Sequence, residues 1–231
     1  MEVIPGEGDV LLVCEHAGRA IPERLGDLGL SPYEMERHIA WDIGAEGLAR
    51  ALAAGIGATL VMQRYSRLVI DCNRPPLGRQ SIPEESDGTE VPGNRGLDAA
   101  GKAARVAEIF DPYAEAVRRA IARPGLRLAV SIHSYTPALA GVRRPWHAGF
   151  CARQDAYARA AIDRLGQDPA ITVAVNQPYQ VDDETDWFIP YAAEPSGLPH
   201  ALIEIRNNGL SSEAGIARWA DRLAPCLTEL P

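Results

Sequence analysis

The sequence predicts a single α/β domain in three layers, a mixed but mostly parallel sheet with helices on both faces. Three observations carry this. Short apolar runs of strand length alternate with longer amphipathic stretches along the chain. Parallel strands need helical crossovers and cover on both faces, so their runs are continuously apolar, as these are. The 231 residues, 46% hydrophobic and 23% charged, suffice for one sizeable core. No internal repeat, low-complexity tract or linker divides them, so one domain is expected over residues 1–231.

The elements follow in order. "DVLLVCEH" (residues 9–16) reads as a strand. Residues 31–55 read as one helix, with Ser31 as N-cap, Pro32 at the first helical position, Glu34 three residues after the cap and Gly55 near the stop. "GATLVMQ" (57–63) and "SRLVIDCNR" (66–74) are the next two strands. The Pro- and Gly-rich stretch 75–96 reads as a loop over a substrate, or as a solvated insertion. Residues 97–125 are helical, with a bend at Pro112. "LRLAVSIHSY" (126–135) is a strand, and a loop with Arg143, Arg144 and His147 follows. Residues 153–167 form a helix, 171–178 and 200–208 form strands, and a last helix starts near Ser211 or Ser212.

Composition excludes several functions. A net charge of −8 argues against nucleic-acid binding, which needs a basic face, but leaves room for an acidic small substrate held by local arginines. Cys14, Cys72, Cys151 and Cys226 lie far apart and form no CxxC, so they read as buried thiols of a reducing compartment. The acidic N-terminus is no signal peptide, and no apolar run is long enough for a bilayer, so a cytoplasmic chain without membrane contact is expected. There is no P-loop and no GxSxG, and "GIGATL" precedes a strand instead of following one.

Four predicted strands end in polar residues: Glu15-His16, then Asp71, Asn73 and Arg74, then His133-Ser134, then Glu204, Arg206 and Asn207. In parallel sheets, ligands bind beyond the carboxyl ends of the strands. Two imidazoles and several carboxylates brought together there suit one divalent metal, with zinc the expected ion. His16 and His133 are the imidazole pair. Asp42 in "HIAWDIG" is the favoured third ligand, and Glu15 is the alternative. Glu204, between Ile203 and Ile205, suits a general base, or else a salt bridge to an arginine. Arg74 and Asn73 are read as holders of a substrate carboxylate, and Arg206 as a second grip or an oxyanion partner. Ser134 and Asn207 are further candidate substrate contacts. Arg143 and Arg144 read as a solvated turn, His38 and His200 as structural, and His147 is left open.

The pieces "CEHAGRAIP", "WDIG", "ATLVMQRYSRLVIDCNRP", "SIHSY" and "IEIRNN", in that order, resemble the N-formylglutamate amidohydrolase family. The resemblance implies a phosphorylase/hydrolase-like fold akin to zinc carboxypeptidases and aspartoacylases. It implies metal-dependent hydrolysis of N-formyl-L-glutamate, or of a related small acidic N-acyl amino acid, to formate and glutamate. Asn73-Arg74 looks like the substrate-binding pair of those relatives, His133 like their second zinc histidine, and Glu204 like their late catalytic glutamate. Their first ligand pair is His-x-x-Glu, whereas this chain has His16-Ala17-Gly18-Arg19. The rival expectations are a deacylase or carboxypeptidase for another acyl group, and a non-catalytic dicarboxylate-binding module.

Overall fold

The structure, a computed structural model, describes residues 1–154 and 156–230. Its strands, in chain order, are β1 (Glu2–Ile4), β2 (Val10–Cys14), β3 (Thr59–Met62), the hairpin β4 and β5 (Glu85–Ser86 and Thr89–Glu90), β6 (Leu128–Tyr135), the hairpin β7 and β8 (Ala138–Leu139 and Val142–Arg143), β9 (Ala148–Cys151), β10 (Val173–Val175) and β11 (His200–Arg206). Seven of them form one sheet in the order β1-β3-β2-β6-β11-β9-β10. The four successive strands β3, β2, β6 and β11 run parallel. β1 joins one edge antiparallel, and β9 pairs antiparallel with β11. The sheet is thus mixed and mostly parallel, as its continuous apolar runs require.

The helices are α1 (Pro32–Glu36), α2 (Ala45–Ile56), α3 (Ala99–Arg105), α4 (Asp111–Ile121), α5 (Ala156–Leu165), α6 (Glu194–Ser196) and α7 (Glu213–Thr228). Asp155, within the expected helix 153–167, and the terminal Pro231 lie outside the described residues. Alternate side chains of each inner strand feed two cores. One holds Leu12, Leu60, Val130 and Ile203 with Leu48 and Leu223 of α2 and α7. The other holds Leu11, Val61 and Ala129 with Phe110, Tyr113 and Trp187. No helix among the described residues is long and apolar enough to cross a membrane.

Trp187 anchors the second core. It is 1% exposed, meets Phe110 edge-on at 5.4 Å, and carries Arg118 over its ring at 5.5 Å. Trp187→Ala is expected to cost about 3–5 kcal/mol, since a large ring leaves a cavity that packed strands cannot close. Urea unfolding monitored by circular dichroism measures it, and a loss below about 1 kcal/mol would contradict this packing.

Two expectations are corrected. The stretch 31–55 is not one helix. The Ser31–Glu34 capping box forms, but α1 ends at Glu36 and α2 starts at Ala45. Between them the backbone bonds elsewhere: Arg67 N–H and Ser66 Oγ donate to Ala40 O, and Asp42 N–H donates to His16 O. Gly44, at φ 83°, turns the chain into α2. The stretch 66–74 is not a strand. Its Leu68, Val69 and Ile70 are buried, but the carbonyls of Leu68 and Val69 accept from Asn94 Nδ2 and Arg105 Nη1. Buried side-chain donors replace the neighbouring strand, and burial alone explains the apolar run. The departure from regular helix lies ahead of Pro112, in a wide π-helical turn, Val106–Phe110, and Pro112 itself sits in the first turn of α4. β9 had no strand signal, because "AGFC" is short and contains a glycine.

Candidate active site

β2 stops at Cys14, so strand alternation no longer governs the next two residues. Gly18 then packs so tightly against the chain just past β3 that a Cβ there would lie 2.0 Å from Arg64 O, which explains the glycine two residues after His16. Glu15 and His16 both turn toward the end of β6. There they meet His133, which stands in register beside Glu204 of β11.

The two imidazoles are held alike. His16 Nε2 lies 2.7 Å from Asp71 Oδ1, and His133 Nε2 lies 3.1 Å from Glu15 Oε2. Glu15 is itself fixed by Ser131 Oγ at 2.5 Å, and Asp71 by Arg67 at 2.8 and 3.1 Å. If each ring donates its Nε2–H to its carboxylate, both Nδ1 lone pairs face Asp42. His133 Nδ1 is 2.9 Å from Asp42 Oδ2 and His16 Nδ1 is 3.5 Å from it. Asp42 is aimed by Ser134, whose backbone N–H donates to Oδ2 at 3.1 Å while its hydroxyl donates to Ile43 O.

This arrangement is rich in carboxyl groups. Glu15, Asp42, Asp71 and Glu204 are all buried, and Arg67 is the cation bonded among them. His16 Nδ1 is buried without a hydrogen-bond partner, and so is one oxygen of Glu204. His16, Asp42 and His133 offer ligand atoms that all lie within 4.8 Å of one another. Imidazoles anchored through their far nitrogen by carboxylates are the usual support of a metal ligand set. The donor set therefore fits a divalent cation, with Asp42 beside both Nδ1 atoms and Glu15 on the far nitrogen of His133.

The electrostatics follow. Burial opposes ionisation of Asp42, but His16 and His133 outweigh it and hold that carboxyl well below its usual range. Burial likewise opposes charge on His133, and Asp42 and Glu15 overcome it, raising this ring. Burial pushes Glu204 up to about 8, with Asp42 adding to the rise against His133, Arg67 and Arg144. An unfolded glutamate ionises near ~4.3, so between there and the folded value the native chain holds a proton that the unfolded chain lacks. Stability then falls as pH rises. His133 has the same sign: its contribution is complete below the unfolded value of ~6.5 and lost through its raised folded value. Chelator-treated protein is expected to lose stability between about pH 5 and pH 8, and Glu204→Gln to flatten that stretch in denaturant titrations. A variant profile as steep as the wild type would contradict this account of Glu204.

The site opens into a cavity of about 300 Å³. Its wall includes Arg67, Arg74, Asn73, Tyr179, Asp186 and Glu204. Asn73 lines it, but its amide oxygen accepts from the backbone N–H groups of Trp187 and Phe188 at 3.2 and 2.9 Å. Arg206 is placed elsewhere. Its guanidinium donates to Asn208 Oδ1 and to the carbonyls of Arg144 and Pro145, away from the cavity. Asn207 opens a 3-10 turn and lines no part of the cavity. Arg144 is not a solvated turn residue: it is 9% exposed and stacks on Tyr135 and Tyr179. His147 accepts from Thr172 N–H, and His200 Nδ1 contacts Leu198 O, both local roles. The four cysteines are free and buried.

The sequence reasoning missed Arg67, Tyr179 and Asp186, and gave Asp71 no role. Arg67 and Asp71 flank the run Leu68-Val69-Ile70, a pairing of opposite charges about a buried segment that could have flagged them. Tyr179 and Asp186 lie in a polar stretch with no pattern.

The model of the N-formylglutamate amidohydrolase family matches residues 8–210, which include every residue of this site. The chain belongs to that family. It is 38% identical to the gene product Atu2144 of Agrobacterium tumefaciens, over 99% of this chain and 93% of that one, with a TM-score of 0.93. The N-formylglutamate amidohydrolase of Ralstonia eutropha JMP134 shares the fold at 20% identity, over 99% and 95% of the two chains, with a TM-score of 0.75. No curated protein matches the chain. Membership in the family makes the chain an amide hydrolase of the amidohydrolase type.

Proposed function

We propose that the chain hydrolyses the amide bond of a small N-acyl amino acid with the help of one divalent metal, zinc being the first choice. N-formyl-L-glutamate, from which hydrolysis yields formate and glutamate, is the first substrate to assay, because the family is named for it. The observation that carries the reading is the pair of imidazoles, both anchored at Nε2, turning Nδ1 toward Asp42 beside a buried and unpartnered Glu204 oxygen.

His16 and His133 would hold the metal through Nδ1, and Asp42 through a carboxylate oxygen. When bound, such an ion polarises the scissile carbonyl and acidifies water. The chain's residues do the rest. Glu204 accepts a proton from the attacking water as the new C–O bond forms. It then returns that proton to the departing nitrogen as the C–N bond breaks, leaving an acid and a free amine. Arg74, whose nearest anion is Asp71 at 3.9 Å, is free to grip a substrate carboxylate. Asn73 positions the 186–188 turn that forms one wall. A substrate of small size fits the cavity volume.

Elemental analysis of the purified chain, with hydrolysis assayed before and after chelation, tests this. About one divalent ion per chain is expected, with activity lost on its removal and restored by its return. Full turnover after complete stripping would reject the metal; turnover of acyl amino acids other than the formyl compounds alone would move the chain to the deacylases.

A further inference from the structure

We propose that Asp186 sets the preference of this site, selecting a substrate side chain that donates hydrogen bonds, an amide or a cation, over one that carries a second carboxylate. The inference rests on the hydrolase reading above.

Asp186 stands in the cavity wall, 8% exposed. Its oxygens accept two long hydrogen bonds: Oδ1 from Asn73 Nδ2 at 3.4 Å and Oδ2 from Asp182 N–H at 3.2 Å. Among the described residues it forms no ion pair, although burial has taken it out of water. Burial raises its carboxyl, and Arg74 is a lesser, opposing influence. A buried carboxylate with neutral, stretched partners favours a donor brought by a ligand.

The cations of the cavity lead to the same conclusion. Arg67 is engaged by Asp71 at 2.8 and 3.1 Å and by Asp42 at 3.4 Å. Arg74 is the less engaged of the two wall arginines, with Asp71 at 3.9 Å, beyond hydrogen-bond distance. One loosely held guanidinium matches one substrate carboxylate. In a cavity of about 300 Å³, a second carboxylate set against Asp186 would meet a like charge with no ion-pair partner of its own. An amide or cation at the same position would instead give Asp186 the donor it lacks. Glutamate and glutamine side chains have the same shape, so the choice between them isolates charge.

A purely structural role is the competing account. Asp186 does receive the Asp182 N–H, and the turn 182–186 is tied together by Asp182 bonds to Glu184, Thr185 and Asp186. Asp186→Asn keeps one oxygen to accept the Asp182 N–H, gives up the long bond from Asn73 Nδ2 and removes the charge. A structural role therefore leaves the choice of substrate unchanged in the variant.

The test compares kcat/KM for N-formyl-L-glutamine, N-formyl-L-arginine and N-formyl-L-glutamate on the metal-loaded full chain, wild type and Asp186→Asn. Calorimetric binding of the free amino acids glutamine, arginine and glutamate runs beside it. The wild type is expected to prefer the glutamine or arginine compound over the glutamate compound by about tenfold or more, mainly through KM. Asp186→Asn is expected to bring the ratio close to one. A wild type that prefers glutamate overturns the proposal, as does a ratio unchanged in the variant. If the variant does not fold, the wild-type ranking decides. If the metal-loaded wild type turns over none of the three, the hydrolase reading on these substrates fails. Calorimetry then decides on Asp186: tighter binding of glutamine or arginine supports it, and equal or tighter binding of glutamate overturns it.

Discussion

His16→Ala is expected to reduce bound divalent metal from about one per chain to trace levels and to slow amide hydrolysis by more than ~100-fold. The expected loss exceeds that of a supporting residue, because the variant removes a ligand atom. His16 Nδ1 is buried with no hydrogen-bond partner, while its Nε2 is tied to Asp71. Without the ring, Asp71 keeps Arg67 as a partner, so the fold has a path to survive. His133→Ala should act likewise on metal and rate, and cost more stability. It strips both Glu15 and Asp42 of a buried partner, and uncompensated buried carboxylates are costly. Metal content by elemental analysis and a thermal melt on each variant separate the two effects. Unchanged metal content in both would refute the proposed ligand set.

Glu204→Gln is expected to lower kcat by ~10²–10⁴-fold while leaving the metal in place. The amide keeps the shape of the carboxyl but cannot accept the water proton. Glu204 is 5% exposed, stands beside His133 in the sheet and has an oxygen with no partner. A base in this position must be ionised, so wild-type activity should rise with pH along an acidic limb. That limb is expected below 8, because a bound cation favours the carboxylate over its state in the metal-free chain. The variant's residual activity should lack the limb. Loss of metal in Glu204→Gln would instead make Glu204 a ligand, and near-normal turnover would remove it from the chemistry.

Much of this site is legible in the sequence. His133 and Glu204 lie on strands, and His16 two residues past one, that their apolar runs announce, and the parallel sheet brings those ends together. The convergence of Asp71, Asn73 and Arg74 was also foreseen, though from a wrong element. The stretch 66–74 reaches the strand ends as a buried loop, its carbonyls met by Asn94 and Arg105. Such long-range donors leave no local pattern, and an apolar run of strand length looks the same whether paired or merely buried. Arg206 shows the opposite failure. It shares a strand face with Glu204, but two residues further on the strand has left the cavity, and the backbone carbonyls of Arg144 and Pro145 capture its guanidinium.

The sequence by itself determined the alternation of strands and helices, the mostly parallel sheet, the chemical kind of its polar strand ends and the family those motifs spell out. These depend on local periodicity and residue type, which need no partner to be read. Only the tertiary structure decided that Asp42 faces the two Nδ1 atoms while Glu15 supports His133 from behind, and that Asp71 anchors His16. It alone placed Asp186 in the cavity wall. The physical reason is that side-chain direction past the end of a strand is set by whichever distant group captures the backbone. Here those groups are Gln63 for the turn after His16, and His16 itself for Asp42.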